Sequence, residues 1–243
     1  MNPTELFRAG KLKESIQALG AELRDHPGDV KRRTFLFELL CFSGDYSRAE
    51  KHLNLLAQAG PDAEMGVLLY RSAVKAERKR REFFEAHQYN QDSTPSSFRP
   101  GKLNGEPFQR IEDIDPRIGA RLEVFIAGEY VWLPIEHIGT FKMEAPRFLR
   151  DMLWSSAYVT ASPAMNGQDF GEVLLPVLYP LSSQHERDEV KLGRETDWVL
   201  PETDPVQIPY GQKMLLLDEE RAVPYLEIRS LEFDDIVSDP QPE

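Results

Sequence analysis

The chain has 243 residues, of which 41% are hydrophobic and 29% charged, a composition ordinary for a soluble globular protein with one large domain or two small ones. Its formal net charge of −12 disfavours nucleic acid and anionic membranes as partners. No apolar run approaches the roughly 18 residues that a membrane span needs.

The first residues, MNPTELFRAGKLKES, contain no apolar segment preceded by basic residues, so no secretory signal is expected. The single cysteine, Cys41, has no partner for an internal disulfide, and we expect it to be a buried structural thiol. Both observations predict a cytoplasmic protein. The charge is uneven: residues 1–87 carry 15 basic and 13 acidic side chains, a net +2, and the remainder of the chain therefore carries −14.

The first third of the chain repeats itself at an offset of 34 residues. Glycine falls on glycine at positions 10 and 44, small residues meet at 15 and 49, leucines at 19 and 53, and prolines at 27 and 61. Glycine permits a tight turn between two helices, and small residues allow the helices to cross closely. This period and pattern are typical of tetratricopeptide repeats.

The repeat predicts helices over residues 30–43 and 46–59, with Asp45 as the cap of the second. Only a short piece, residues 2–9, stands for the first helix of copy one. A further helix is expected to start after Asp62 and to continue to about His87, without a second glycine turn. About three repeats are needed for independent stability, so we expect this short array to rest on another part of the chain.

The remaining elements read as strands. Residues 91–107 are rich in proline, glycine and serine and predict a linker. Beyond it, residues 122–134 predict a hairpin that turns near Gly128, and further strands are predicted at 137–143, 173–179, 213–217 and 223–233, with one or two helical turns at 146–153. The predicted fold is α+β, with tetratricopeptide-like helical repeats over 1–90, the linker, and a β-rich acidic domain over 108–238.

The sequence contains none of the common catalytic and nucleotide-binding motifs. The chain has no GxSxG, HExxH, CxxC, Walker A or GxGxxG sequence. Asp113 and Asp115 could form an acid/base pair or ligate a hard metal. The alternative is that they cap turns and pair with Arg117 and Arg121. We therefore predict no catalytic residue, cofactor or metal. An enzyme that uses Asp113 and Asp115 is the alternative that the structure can test.

The basic run at 75–81 has two interpretations as well: a solvated helix face that answers the acidic second half, or a binding site for phosphate or an acidic partner. We expect the first, because seven consecutive residues spread around most of the helix.

The first helices of such repeats line a concave face that accepts an amphipathic helix or an extended peptide. The same residues could instead be buried against the β-rich domain, and the sequence leaves both possibilities open. The candidate partner-binding residues are Lys31, Thr34, Phe35, Glu38, Met65, Leu68, Ser72 and Lys75.

Three sequence blocks resemble one known family. They are FLFELLCFSGDYSRAEKHL, GEPFQRIEDIDPRIGARLEVFIAGEYVWLP and EAPRFLRDMLW, and they occur in this order. In combination they resemble the ImpE/TagJ family of accessory proteins of bacterial type VI secretion, from about residue 4 to residue 233. The short segments GEPF, DIDPRIG and LRDMLW make this resemblance far more specific than the 34-residue repeat alone would.

The resemblance implies a non-enzymatic cytoplasmic adaptor that binds the N-terminal helix of the small subunit of the contractile sheath and assists the sheath cycle. It implies no nucleic acid and no membrane insertion. Two alternatives stay open at this point: a generic repeat scaffold with an unrelated protein partner, and an enzyme that uses Asp113 and Asp115.

Overall fold

The computed structural model describes residues 1–59, 61–89, 96–165, 169–201 and 206–234, except the side chains at positions 59, 61–65 and 164. The helices in these ranges are α1 (Pro3–Arg8), α2 (Leu12–Asp25), α3 (Val30–Phe42), α4 (Tyr46–Leu56), α5 (Pro61–Glu85) and α6 (Asp188–Lys191). The strands are β1 (Phe98–Leu103), β2 (Glu106–Asp113), β3 (Arg121–Ile126), β4 (Glu129–Pro134), β5 (Ile138–Met143), β6 (Trp154–Ala161), β7 (Gly171–Pro176), β8 (Asp197–Val199), β9 (Ile208–Tyr210), β10 (Met214–Leu217), β11 (Arg221–Pro224) and β12 (Ser230–Phe233). The mixed class is confirmed, with helices first and strands after them.

Polar caps determine where the helices begin. Asn2 and Glu5 form a capping box, which fixes the start of the short helix α1 at Pro3. Asp29 accepts from the backbone N–H of Arg32 at 2.9 Å, and Asp45 accepts from that of Arg48 at 3.2 Å. The predicted role of Asp45 as a cap is therefore confirmed.

The two helical hairpins are alike at the positions that the 34-residue offset pairs. Gly10 and Gly44 both adopt the left-handed backbone, with φ of +78° and +70°. The paired positions that follow are buried in both hairpins: Leu12 and Tyr46, Ser15 and Ala49, Leu19 and Leu53. The hairpins thus share turn geometry and buried positions, while their assignment to the tetratricopeptide type stays a prediction.

The longest helix, α5, has 25 residues and continues through the place where a third glycine turn would fall. Its C-terminal half carries the basic run at 75–81, in which Lys75 and Lys79 are exposed and Arg80 is buried. Among the described residues, no helix is both long enough and apolar enough to cross a membrane.

Ten strands form one antiparallel sheet in the order β11-β10-β2-β1-β12-β5-β6-β7-β3-β4, and β8 pairs with β9 in a separate two-stranded sheet. The hairpin β3–β4 turns at Gly128 (φ +79°), as predicted. The predicted helical turns at 146–153 are a single 3-10 turn, Leu149–Met152. Strands β6, β8 and β9 had no counterpart among the predicted strands.

The prediction of a linker at 91–107 requires a correction, because β1 and the start of β2 lie inside it. Strand β1 occupies the middle of the sheet, between β2 and β12. A Cβ atom at Gly101 would approach the Glu232 carbonyl oxygen to 2.4 Å, so glycine is required there by the close approach of β12. The glycine and proline content that suggested a linker thus belongs partly to a central strand. The division into two domains stays a prediction.

The helices and the sheet share one hydrophobic core. Buried leucine and phenylalanine side chains from α2 to α4 pack in the same cluster as Phe125, Trp154 and Leu178 of the β-rich part. A second cluster lies within the sheet itself. The first cluster supplies the external support that so short a helical array was expected to need.

A bracing segment, defined here as residues 182–194, runs along the helical turns and includes α6. Asp188 accepts from the Lys13 backbone N–H at 3.0 Å, and so caps α2 from 175 residues away. Arg194 donates to the Phe7 and Arg8 carbonyls at 2.7 and 3.0 Å, at the end of α1. The segment therefore satisfies backbone groups that the short first hairpin leaves open.

The second glycine turn also meets this segment. A Cβ atom at Gly44 would lie 2.6 Å from the Ser183 hydroxyl oxygen, whereas one at Gly105, which also has a positive φ of +85°, would meet nothing within 4 Å. A side chain at Gly105 would therefore cost only the strain of the left-handed backbone, whereas a side chain at Gly44 would add a steric clash with Ser183.

We expect Gly44→Ala to lower the free energy of unfolding more than Gly105→Ala. Both variants should lose about 1–2 kcal/mol from the left-handed backbone, and Gly44→Ala about 1–3 kcal/mol more from overpacking against Ser183. Urea denaturation measures both losses, and adding Ser183→Gly should restore part of the difference. Equal losses in the two single variants would show that the Gly44 turn is not packed closely against Ser183 of the bracing segment.

Candidate partner-binding groove

The N-terminal part of the predicted concave face is an open groove. It lies between α1, α2 and α3 and has a volume of about 490 Å³. Two of the predicted residues line it: Lys31, which is exposed, and Phe35, which is half-buried and stacks edge-on against Phe7 with ring centroids 5.6 Å apart. Its other lining residues are Asn2, Pro3, Thr4, Leu19, Glu22, Asp29 and Arg32. Thr34, one of the candidates, turns its hydroxyl back to the Val30 carbonyl at 2.9 Å.

One turn beyond Phe35, the same face of α3 is covered by the β-rich part. The 3-10 turn Leu149–Met152 lies here, and its Leu149 and Met152 side chains pack against the helical core. Glu38, which is only 9% exposed, lies at this boundary. Burial raises the pKa of Glu38 to about 7; the positive charge of Arg150 opposes the rise and the negative charge of Asp151 adds to it.

The α5 half of the predicted face is partly occupied by the β3–β4 hairpin. Lys75 pairs with Glu129 at 2.8 Å, and Ser72 lies beside Gly128, where an added Cβ would be 3.5 Å from the Ser72 Cα atom. Leu68 is 60% exposed. Met65 falls in α5, but its side chain lies outside the described residues.

The structure thus does not bring the eight candidates together in one site. On α3, Lys31 and Phe35 line the open groove and Glu38 is buried beyond it. On α5, Ser72 and Lys75 contact the β3–β4 hairpin. Both possibilities that the sequence left open therefore apply, each to a different part of the face. Sequence reasoning missed the groove residues from α1 and α2, because the repeat pattern carries no information on what packs across the array.

Behind the groove, α5 is joined to the sheet by buried ion pairs. Arg80 donates two hydrogen bonds to Glu123 on β3, at 2.7 and 2.8 Å, and Lys213 contacts the same carboxylate at 2.5 Å. All three residues are 2% exposed or less. Burial alone would raise the pKa of Glu123, but Arg80 and Lys213 outweigh it and lower the pKa to about 2.

Asp113 and Asp115 belong to this buried framework. Asp113 accepts from the Asp115 backbone N–H at 2.9 Å and pairs with Lys213 at 2.8 Å, while Asp115 pairs with Arg117 at 2.6 Å. Burial raises the pKa of Asp113 to about 6 against the opposing charge of Lys213. Arg121 lies with its guanidinium 5.0 Å from the centre of the Trp132 ring. The interpretation as turn caps and ion-pair partners thus fits both aspartates, with Arg117 as the partner of Asp115, as predicted, and with Lys213, which the sequence did not indicate, as the partner of Asp113.

No metal-binding arrangement accompanies these carboxylates: within the described ranges, no three histidine, cysteine, aspartate or glutamate side chains come together so as to hold an ion. Cys41 is buried, and burial raises the pKa of its thiol well above the ordinary value. A neutral, enclosed thiol of this kind is a packing residue.

The basic run on α5 has its charges answered by carboxylates. Lys75 and Lys79 both pair with Glu129, Arg78 pairs with Glu50 at 2.9 Å, and Arg81 pairs with Glu85 at 2.7 Å. With Arg80 bound to Glu123, two of the acidic partners come from the β-rich part. The expected pairing with the acidic half of the chain is thus seen for Lys75, Lys79 and Arg80, but Arg80 is buried and not solvated as expected.

Comparison with known proteins adds three findings. Residues 105–232 match the family model described as ImpE protein. A curated relative from Pseudomonas aeruginosa, described as type VI secretion system accessory component TagJ, is 30% identical over 265 residues, which cover 95% of this chain and 90% of that protein. The crystal structure of a Vibrio parahaemolyticus protein superposes with a TM-score of 0.83 over 97% of this chain and 98% of that one, at 24% identity, which supports the fold.

We expect Arg80→Met to lower the free energy of unfolding by about 3–5 kcal/mol, because it leaves the buried Glu123 carboxylate short of a partner. Arg78→Met is the matched control on the same helix. Its ion pair with Glu50 is exposed, so its loss should cost less than about 1 kcal/mol. Urea unfolding of both variants measures the difference. Similar losses would contradict the conclusion that the buried Arg80–Glu123 pair is costly to break.

We also expect Glu38→Gln to stabilise the protein in alkaline conditions. The folded-state pKa of Glu38 is raised from 4.5 to about 7, so the wild type loses stability as the pH rises from about 4.5 to 7. At pH 8 the variant should gain about 3 kcal/mol in free energy of unfolding, and the gain should shrink as the pH falls towards 4.5. Urea unfolding at several pH values tests this, with the exposed Glu82→Gln as the control. A pH dependence that is the same in wild type and Glu38→Gln would contradict it.

Proposed function

The chain belongs to the ImpE family, and on that premise we propose that it is a non-enzymatic accessory protein of type VI secretion that binds the N-terminal helix of the small sheath subunit. The observation that carries this proposal is the TagJ relative from Pseudomonas aeruginosa, which is matched over nine-tenths of its length. The resemblance of the three sequence blocks to this family points in the same direction. We place the protein in the cytoplasm and assign it a role in the sheath cycle on the same grounds.

The open groove on α1, α2 and α3 supports a helix as the ligand. It is walled by helices, has an aromatic side chain in Phe35 and charged side chains around it, and lies on the surface. One face of an amphipathic helix can fit such a groove, with its apolar residues on Phe35 and its polar residues towards water. The candidate residues Lys31, Phe35 and Glu38 share one face of α3, because they are spaced by four and three positions.

An enzymatic role has less support. The oxygens of Asp113 and Asp115 bind Lys213, Arg117 and backbone N–H groups, and both residues are at most 2% exposed. A substrate would have to displace these partners to reach either carboxylate. A generic repeat scaffold with an unrelated partner is the other alternative, and binding assays with the sheath subunit discriminate it.

The protein should co-purify with the full-length small sheath subunit and should lose it when the first helix of that subunit is deleted. Lys31→Glu should weaken the complex about tenfold, because it reverses an exposed charge at the groove. Lys51→Glu, an exposed lysine on α4, should bind as the wild type does.

Three results would count against the proposal. Undiminished binding to the subunit without its first helix would contradict the mechanism. Failure of the full-length subunit to bind would favour a scaffold for another partner. Equal effects of Lys31→Glu and Lys51→Glu would move the binding site away from the groove.

A further inference from the structure

Among the described residues, four charged side chains line the open groove on α1, α2 and α3, and three of them are paired with one another. Arg32 donates to the Glu22 carboxylate at 2.7 Å and also pairs with the Asp29 carboxylate. The fourth, Lys31, is exposed. Its ammonium group makes no hydrogen bond and no ion pair with any other residue that the structure describes. Lys31 is therefore the charge that a ligand in this groove can neutralise.

The paired group and Lys31 offer a ligand different contacts. Arg32 is the common partner of two carboxylates, so a ligand carboxylate at Arg32 would also meet their negative charges, and a ligand cation there would meet Arg32. A ligand carboxylate at Lys31 meets a cation that no carboxylate of the described chain engages, and a charge-assisted hydrogen bond can form between them. The groove thus favours an acidic side chain at Lys31.

The apolar part of the groove lies one turn further along α3. Phe35 is half-buried and packs edge-on against Phe7, and the buried side chains of Pro3 and Leu19 also line this part. Lys31 and Phe35 are four positions apart, so they share one face of the helix and are about 6 Å apart along its axis. The groove therefore presents a positive charge and, beside it, an apolar surface.

We propose that the helix that occupies this groove carries an acidic residue that pairs with Lys31 and, one turn away, an apolar residue that covers Phe35. This inference rests on the proposed function, and it specifies the partner chemistry of the same site. The spacing on the ligand is three or four positions, because a helix aligned with α3 advances by the same distance for each turn.

The same two contacts set the direction of the bound helix. If the helix is reversed while its apolar residue stays on Phe35, its acidic residue moves to the far side of Phe35 and away from Lys31. The chain as a whole carries a charge of −12, so long-range attraction does not draw an acidic helix towards it. The selectivity for such a helix therefore depends on the local pair with Lys31.

The test is a charge exchange, measured by calorimetric titration of the full-length protein with the full-length small sheath subunit. Each aspartate and glutamate of the subunit's first helix is replaced in turn by lysine. One of these replacements should weaken binding to the wild type about tenfold, and Lys31→Glu should restore most of the loss because the pair is then reversed. Lys51→Glu, the exposed control on α4, should restore nothing.

A second set of variants locates the apolar contact. Phe35→Leu keeps an apolar side chain in the groove but removes the ring, and it should weaken binding about fivefold. Its effect should not be additive with the replacement by alanine of one apolar residue of the subunit's first helix, three or four positions from the acidic residue. Phe98→Leu, which changes an exposed phenylalanine on β1, should bind as the wild type does.

The outcomes separate the inference from the proposed function. If the wild type binds and requires the first helix, but Lys31→Glu restores none of the weakened subunits, the inference is wrong and the proposed function stands. If the residue that couples to Phe35 lies at another spacing from the acidic residue, the one-turn arrangement is wrong. If the wild type does not bind the subunit, the proposed function is wrong and the inference falls with it. Urea unfolding curves establish that Lys31→Glu and Phe35→Leu are folded.

Discussion

The contact between Arg80 and Glu123 is the interaction on which the rest of the molecule depends. It joins the longest helix to a strand in the interior, and Lys213, just before β10, contacts the same carboxylate while its own charge is balanced by Asp113. A buried pair of this kind is not a large source of stability, but it is costly to break, so it fixes the one arrangement in which every charge is satisfied. The position of α5 on the sheet follows, and with it the position of the shared core and of the groove.

This constraint explains why the concave face is only partly free. Once α5 is fixed on the sheet, the β3–β4 turn reaches Ser72 and Lys75, and the 3-10 turn Leu149–Met152 covers the C-terminal half of α3. What remains open is the end near α1, a helix of six residues that begins at the capping box of Asn2 and Glu5. The groove is therefore a product of two local facts, a short helix on one side and a covering turn on the other.

The sequence was sufficient for what depends on near neighbours. The helix boundaries of α3 and α4 follow from the glycine turns and from Asp45, and the β3–β4 hairpin follows from alternation around Gly128. It failed where the deciding partner is remote. Strand β1 resembles a linker in sequence because it contains Gly101, a glycine required by the close approach of β12, which lies about 130 residues later. Likewise, the sequence around Glu123 gives no indication that Lys213 is its ion-pair partner. For the groove, the repeat pattern identified Lys31 and Phe35 on α3, but it could not show that Glu38, one turn further on, lies buried near Arg150.

The cap that Asp188 provides for α2 has a consequence for synthesis on the ribosome. The first helical hairpin leaves the exit tunnel early, yet the carboxylate that completes its second helix and the arginine that closes its first are translated only after three-quarters of the chain. Until then α2 lacks this cap, and the cluster that it forms with α3, α4 and α5 lacks Phe125, Trp154 and Leu178. The N-terminal helices are thus synthesised first but obtain their last contacts from the final quarter of the chain, so the apolar surface that the β-rich part covers stays exposed while most of the chain is translated.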